Sequence, residues 1–291
     1  MFALLVKPAV FKSKRFAPLI HQWLDEGAVL LAGSNSADLR SEVTSLLSVS
    51  DSPVIVVACG GDGTVHLLAN AVVGLDVRFA VVPLGTGNDF ARYIGVTKAK
   101  QAISVAHSGV LRRLDVGEIR LQGESRYFIG IASCGFDAQV NERANTYRGP
   151  QGTVKYVVAL LAELRALTSL RLQVSTDGKT EEHDVTLLAV GNTSSYGGGM
   201  LVCPSADAQD AEFEVMRVAQ VNRRTLLRVF PRVFRGTHVT HPAVTMSRAS
   251  LVELSGEDFP IYADGERVGR GPATISILPA HLAVLFPRDS L

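Results

Sequence analysis

The sequence predicts an α/β domain followed by a β-sandwich. Three observations give that reading. Over the first third, short apolar or β-branched runs alternate with segments of helical periodicity, the rhythm of a parallel sheet. After about Asp115 short alternating strands take over, punctuated by Gly, Asp and Asn, as in an antiparallel sandwich. The chain has 291 residues, enough for about two domains of about 150 residues each. We place the boundary there, with 1–115 as the α/β domain and the sandwich beginning at 116.

The elements follow in order. Ala3 to Val6 reads as a buried strand. Phe16 to Glu26 reads as a helix with Phe16, Leu19, Ile20 and Trp23 at helical spacing. Val29 to Ala32 is a second strand, and Ala37 to Ser48 a helix with Ser36 as its cap. Val54 to Cys59 is a β-branched run of the kind found in buried parallel strands. A helix over Thr64 to Val73 and a strand over Phe79 to Pro83 complete the first domain. The second domain is predicted to hold strands at 114–120, 127–132, 170–175, 184–191, 212–218, 244–247, 250–254 and 273–278. One helix, about 152–167, interrupts them.

Composition excludes several classes. Lys plus Arg is 29 against 28 for Asp plus Glu, too even for a general nucleic-acid binder. Hydrophobic residues make up 47%, too many for a disordered chain. Cys59, Cys134 and Cys203 form no C-x-x-C pair and read as buried thiols of a reducing compartment. The N-terminal apolar run precedes its first lysine, the reverse of a signal peptide, and no stretch reaches 18 apolar residues. The expected location is the cytoplasm.

Two glycine clusters follow predicted strands. Gly60-Gly61-Asp62-Gly63-Thr64 lets backbone approach a ligand closely and presents N–H groups at a helix start, which suits phosphate. Asp62 would repel a phosphate unless a divalent cation bridges them. The second cluster is Pro83-Leu84-Gly85-Thr86-Gly87-Asn88-Asp89-Phe90-Ala91-Arg92. Thr86 and Asn88 can bond phosphate or ribose, and Asp89 can hold the loop or a nucleotide group. At the carboxyl ends of parallel strands the two would form a nucleotide site in a Rossmann-like domain. The chain spells no G-x-x-x-x-G-K-[ST], no G-x-G-x-x-G, no H-R-D and no H-E-x-x-H. At Ser133 the G-x-S-x-G elbow fails by one residue.

These two clusters together resemble the diacylglycerol kinase catalytic family, which includes sphingosine and ceramide kinases and bacterial lipid kinases. The similarity continues through Asp115-Val116-Gly117, Gly135-Phe136-Asp137-Ala138, Gly197-Gly198-Gly199, Pro204 to Asp210 and Asp264-Gly265-Glu266. It covers nearly the whole chain in order. GGDGT alone is also shared with NAD kinases.

The resemblance implies an ATP- and magnesium-dependent kinase that phosphorylates the hydroxyl of a neutral or sphingoid lipid. It implies a nucleotide-binding α/β domain joined by the returning tail, 278–291, and a lipid-side sandwich over 116–277. Glu266 is the implied general base, with Asp62, Asp115 and Asp264 organising magnesium and water. ATP contacts are implied for Gly60, Gly61, Asp62, Gly63, Thr64, Val65 and His66, and for Gly85, Thr86, Asn88 and Asp89. A structural magnesium site maps to Asp207, Asp210 and Glu212. Two departures stand out: Ala211 replaces the family's glycine after Asp210, and Lys7-Pro8-Ala9-Val10-Phe11 replaces an Asn-Pro-x-x-Gly loop.

Chemistry agrees with these residue types. A lipid hydroxyl must lose its proton as it attacks, so a carboxylate in reach is useful, and a magnesium ion held by carboxylates stabilises the transferred phosphoryl. From Met216 to Val252 there is no acidic residue, but seven arginines. Arg224, Arg228, Arg232 and Arg235 share one helical face, with Leu226, Val229, Phe230, Val233 and Phe234 on the other. Pro231 predicts two short helices rather than one. Such a segment suits either a solvated face over a core or an anionic membrane surface, which would make the enzyme peripherally membrane-associated. Two alternatives stay open: a soluble NAD kinase-like enzyme, and a non-catalytic nucleotide- or lipid-binding protein.

Overall fold

The computed structural model describes residues 1–146, 159, 162–164 and 167–288. The chain forms two compact units, Met1–Val116 with Pro279–Leu291, and Gly117–Leu278.

The first unit is a parallel sheet with helices between its strands. In order it holds β1 (Phe2–Val6), α1 (Pro8–Phe11), α2 (Ala17–Asp25), β2 (Val29–Leu31), α3 (Ser36–Val49) and β3 (Ile55–Gly60). It continues with α4 (Asp62–Val72), β4 (Arg78–Pro83), α5 (Asp89–Tyr93) and α6 (Ala99–Ser108), and leaves along β5 (Val110–Leu121). β1 pairs in parallel with β2 and β3, and β3 with β4. The apolar runs of β1, β3 and β4 are nearly wholly buried, as strands covered on both faces must be. The cap of α3 is Asn35, not Ser36: its side chain accepts from the Asp38 amide at 2.9 Å. Asparagine and serine are comparable caps, so composition could not choose between neighbours. α1, α5 and α6 were not predicted from sequence.

The second unit is an antiparallel sandwich. It holds β6 (Glu124–Phe128), β7 (Ile131–Gly135), α7 (Phe136–Thr146), β8 (Leu170–Thr176), β9 (Lys179–Gly191) and β10 (Phe213–Ala219). A short helix α8 (Arg223–Val229) runs into two 3-10 segments, Phe230–Arg235 and Thr237–Thr240. Then come β11 (Val244–Ala249), β12 (Leu251–Gly256), β13 (Pro260–Ala263), β14 (Glu266–Arg270) and β15 (Ala273–Phe286). The strand order is β14-β13-β7-β9-β8-β12-β15, and β10 pairs with both β9 and β11. The core gathers Ile119, Phe128, Leu172, Phe213, Val252, Phe259 and Ile261, with Phe128 and Phe213 stacked at 5.7 Å. One expected strand, 127–132, is two, β6 and β7, separated at Ile129-Gly130. The expected helix 152–167 lies mostly outside the described residues.

β15 continues through Pro279 rather than ending at Leu278, and its far half belongs to the first unit. There Val284 pairs in parallel with Phe79 of β4. All three cysteines are buried and free; burial pushes Cys59 and Cys203 far up and Cys134 to about 12, so none is a poised thiolate. Among the described residues no helix is long and apolar enough to cross a membrane.

Candidate active site

β3 and β4 are hydrogen-bonded neighbours, with Gly60 opposite Pro83, so the two glycine clusters emerge side by side at the carboxyl ends of adjacent parallel strands. They are in backbone contact. The Leu84 amide donates to the Gly60 carbonyl at 2.8 Å. A methyl carbon added to Gly85 would lie 2.5 Å from the Gly61 Cα, so only glycine allows this approach.

One side chain locks the pair. Asp62, in the first turn of α4, accepts from the Asn88 amide at 2.8 Å and from the Asp89 amide at 2.7 Å. The second loop also braces itself. Asn88 sits at φ 55 and its side chain bonds both the amide and the carbonyl of Gly85, at 3.0 and 2.8 Å. Asparagine tolerates this left-handed conformation better than most residues. Asp89 is buried and pairs with Arg92 at 2.7 Å, and Arg92 also donates to the Gly87 carbonyl at 2.9 Å. Burial, then the charge of Asp89, raise the Asp62 carboxyl above its ordinary value, while the amides of Asp89, Asn88 and Phe90 oppose that rise.

The remaining residues of the two clusters divide by position. Gly63, Gly85 and Thr86 are exposed, and Thr64 and His66 are half-buried. Val65 is 3% exposed and packs inward, so it can offer a ligand only its backbone. Gly61 caps α4 without a side-chain acceptor, which leaves the helix start to an external anion or solvent. At the end of β1, Lys7 is exposed and stands just before α1, which Pro8 opens.

The other acids are also engaged by backbone. Asp115 is buried, and its Oδ1 accepts from the Ala280 amide at 2.8 Å, within the first unit. In the second unit, Asp264 and Gly265 both have positive φ, 51° and 83°, and join β13 to β14 in the two-residue manner of a type I′ hairpin. The Asp264 carboxylate reaches back to the β6–β7 connection. It accepts from the amides of Ile129, Gly130 and Ile131 at 3.0, 2.8 and 3.2 Å. That turn fixes the start of β14, where Glu266 stands exposed.

Asp207, Asp210 and Glu212 lie in the loop before β10. There Asp210 and Glu212 are both paired with Arg248. Among the described residues no group of three or more His, Cys, Asp or Glu is arranged to hold a metal ion. Arg92 and Arg248 had no assigned role in the sequence reading. The first could have been suspected from its spacing of three from Asp89 on a helix; the second is brought in only by strand register.

Residues 26–119 match the family described as Diacylglycerol kinase catalytic domain, and residues 130–286 the YegS C-terminal NAD kinase beta sandwich-like domain. A diacylglycerol kinase of Mycobacterium tuberculosis (strain ATCC 25618 / H37Rv) is 39% identical over 277 residues, covering 94% of this chain and 88% of that one. A diacylglycerol kinase of Staphylococcus carnosus is 29% identical over 240 residues, covering 81% and 77%. The crystal structure of a diacylglycerol kinase from Bacillus anthracis superposes with a TM-score of 0.71 at 17% identity, covering 100% and 98%. An NAD kinase from Archaeoglobus fulgidus in complex with ATP gives 0.53 at 12% identity, covering 100% and 94%, a likeness of fold. A relative 39% identical over 94% of the chain, together with the family model matched over residues 26–119, shows that the chain belongs to the diacylglycerol kinase catalytic family, as a phosphotransferase with an alcohol acceptor.

Proposed function

We propose that the protein transfers the γ-phosphoryl group of ATP to the hydroxyl of a membrane lipid such as diacylglycerol. The observation that carries this reading is the pair of glycine loops held backbone to backbone by Asp62. Their exposed backbone and the uncapped start of α4 suit a polyphosphate. In the proposed reaction Glu266 accepts the proton of the lipid hydroxyl as its oxygen attacks the γ-phosphorus. The bond from that phosphorus to the β–γ bridging oxygen breaks, giving ADP and a phosphorylated lipid.

Asp62, Asp115 and Asp264 act here mainly as positioning residues, because their carboxylates hold backbone amides. Each ionised carboxylate has about four lone-pair sites. Asp62 therefore keeps acceptor capacity beyond its two amides, and its oxygen chemistry fits a magnesium ion arriving with the nucleotide. That ion, when bound, would neutralise charge on the phosphates.

A lipid acceptor fits a further feature. Arg223, Arg224, Arg228, Arg232 and Arg235 are all exposed, with Leu227 and Phe234 about half exposed beside them. Cations with apolar tips favour the surface of an anionic bilayer. Phe234, expected on the core face, is instead at the surface.

Radiolabelled ATP offered with diacylglycerol, ceramide, a sphingoid base, phosphatidylglycerol and NAD tests the reading. Label is expected in a lipid and not in NAD. Label in NAD alone would favour the soluble nucleotide kinase that the fold likeness to an NAD kinase allows. Unchanged turnover in Glu266→Gln would remove the assigned base.

A further inference from the structure

We infer that the loop carrying Asp207, Asp210 and Glu212 is neutralised by the guanidinium of Arg248 and not by a divalent cation. The family resemblance leads one to expect magnesium there, so this is a property of the chain's own residues, independent of the substrate proposed above.

The loop leads into β10, which pairs antiparallel with β11 so that Glu214 faces Arg248. That register brings the arginine to the loop. Its Nη2 donates to Asp210 Oδ2, and its Nε lies 3.2 Å from Glu212 Oε2. The other oxygen of Asp210, Oδ1, accepts from the Glu212 amide at 3.0 Å. Both oxygens carry a donor, and unlike the two amides on Asp62 one of these donors is a full cation. The Asp207 carbonyl accepts from the Asp210 amide at 3.3 Å, inside the same loop. Glu214, the buried acid next along the strand, accepts from the Ser205 amide at 2.7 Å.

Two carboxylates thus pair with one side chain that stays charged at any working pH, and a third, Glu214, stands opposite it in the strand register. Magnesium demands near-octahedral oxygen coordination, and here it would have to gather Asp210 and Glu212 against the charge of a guanidinium already paired with both. The loop also turns through Ala211 at φ 60, where the family has glycine. A fixed cation tied to both neighbours of Ala211 is the device that holds this left-handed turn without a metal.

The test uses nucleotide-free protein treated with chelator, compared by scanning calorimetry in EDTA and in magnesium chloride, together with metal analysis after desalting. Wild type is expected to melt at the same temperature in both and to retain no stoichiometric divalent ion. Arg248→Met is expected to melt lower in EDTA by up to about 2–4 °C, because its ion pairs are half exposed. A magnesium-dependent rise in wild type that Asp210→Asn abolishes would overturn the inference, as would a retained ion lost in Asp210→Asn. A rise that persists in Asp210→Asn arises at another site and supports it. The wild-type and Asp210→Asn measurements decide the matter even where Arg248→Met fails to fold.

Discussion

Asp62 accepts the backbone amide of Asp89 at 2.7 Å, across 27 residues of sequence. The first acidic residue of one glycine loop is thereby the cap of the helix that follows the other. Asp62→Ala removes acceptors for two amides and is expected to lower stability by about 1–3 kcal/mol through the amides left unsatisfied. It is also expected to abolish phosphoryl transfer, because the loops lose the side chain that ties the second to the start of α4. Circular dichroism melts beside turnover check both effects.

The burial of Asp62 beside Asp89 sets a pH dependence that its amide partners only partly offset. The folded-state pKa of Asp62 is raised by burial and by Asp89. Between its unfolded and folded values the native state holds more protons than the unfolded one. The residue's contribution is therefore greatest below the unfolded value and is lost as pH rises through the folded one. Subtracting the stability–pH curve of Asp62→Asn from that of wild type should leave a component that declines with rising pH through the acid range. A difference curve that climbs there would contradict the assignment.

Asp264 and Glu266 are two residues apart but should fail differently. Asp264 supplies three amides with an acceptor and sits at φ 51 in the hairpin turn. Asp264→Ala is expected to cost about 1–3 kcal/mol through the unsatisfied amides and to reduce turnover by misplacing Glu266. Glu266 is exposed, so Glu266→Gln should leave the melting temperature within about 1 °C of wild type, since surface changes rarely exceed ±0.5 kcal/mol. Its turnover should fall by about 10²–10⁴-fold. Thermal melts and kcat measured on both variants separate positioning from proton transfer.

Gly85→Ala tests the backbone contact. The added methyl meets the Gly61 Cα, which is main chain and has no rotamer to move. The loops must part by an appreciable fraction of an ångström, and misplacements of about 1 Å can cost about 10²-fold in rate. Nucleotide affinity by calorimetry and kcat should both fall. A variant with wild-type affinity and rate would show that this approach does not shape the nucleotide site.

The βαβα rhythm of the first unit was legible because β-branched runs such as Val54–Cys59 must be buried on both faces in a parallel sheet. Short elements were not. α7 carries Asp137, Gln139, Asn141, Glu142 and Arg143 and offers no continuous apolar stripe, while α6 buries the small Ala102 and Ala106. β13 is four residues, all buried, with no alternation to betray it. At the candidate site the glycine loops and the acids were visible as residue types. Where each carboxylate is spent was not, because Asp62, Asp115 and Asp264 bond amides 26 to 165 residues away. Spacing along the chain carries no signal for such partners.

The arginine face yields the last prediction. Arg228, Arg232 and Arg235 are exposed around a stretch of chain with no acidic residue. Each arginine near an anionic bilayer contributes about 1 kcal/mol, and the attraction fades within a Debye length of about 8–10 Å. Charge reversal in Arg228→Glu, Arg232→Glu and Arg235→Glu together should cut binding to phosphatidylglycerol-containing vesicles by at least about 10²-fold, since three such terms are removed and each factor of ten is about 1.4 kcal/mol. Binding of the wild type should weaken as salt is raised. Turnover on a short-chain, water-soluble acceptor should be unchanged, because none of these residues belongs to the glycine loops or the Asp-Gly-Glu turn. Vesicle sedimentation paired with the soluble assay reads both. Equal sedimentation of variant and wild type would assign the segment to solvent, and a loss of soluble turnover would place it in the catalytic machinery instead.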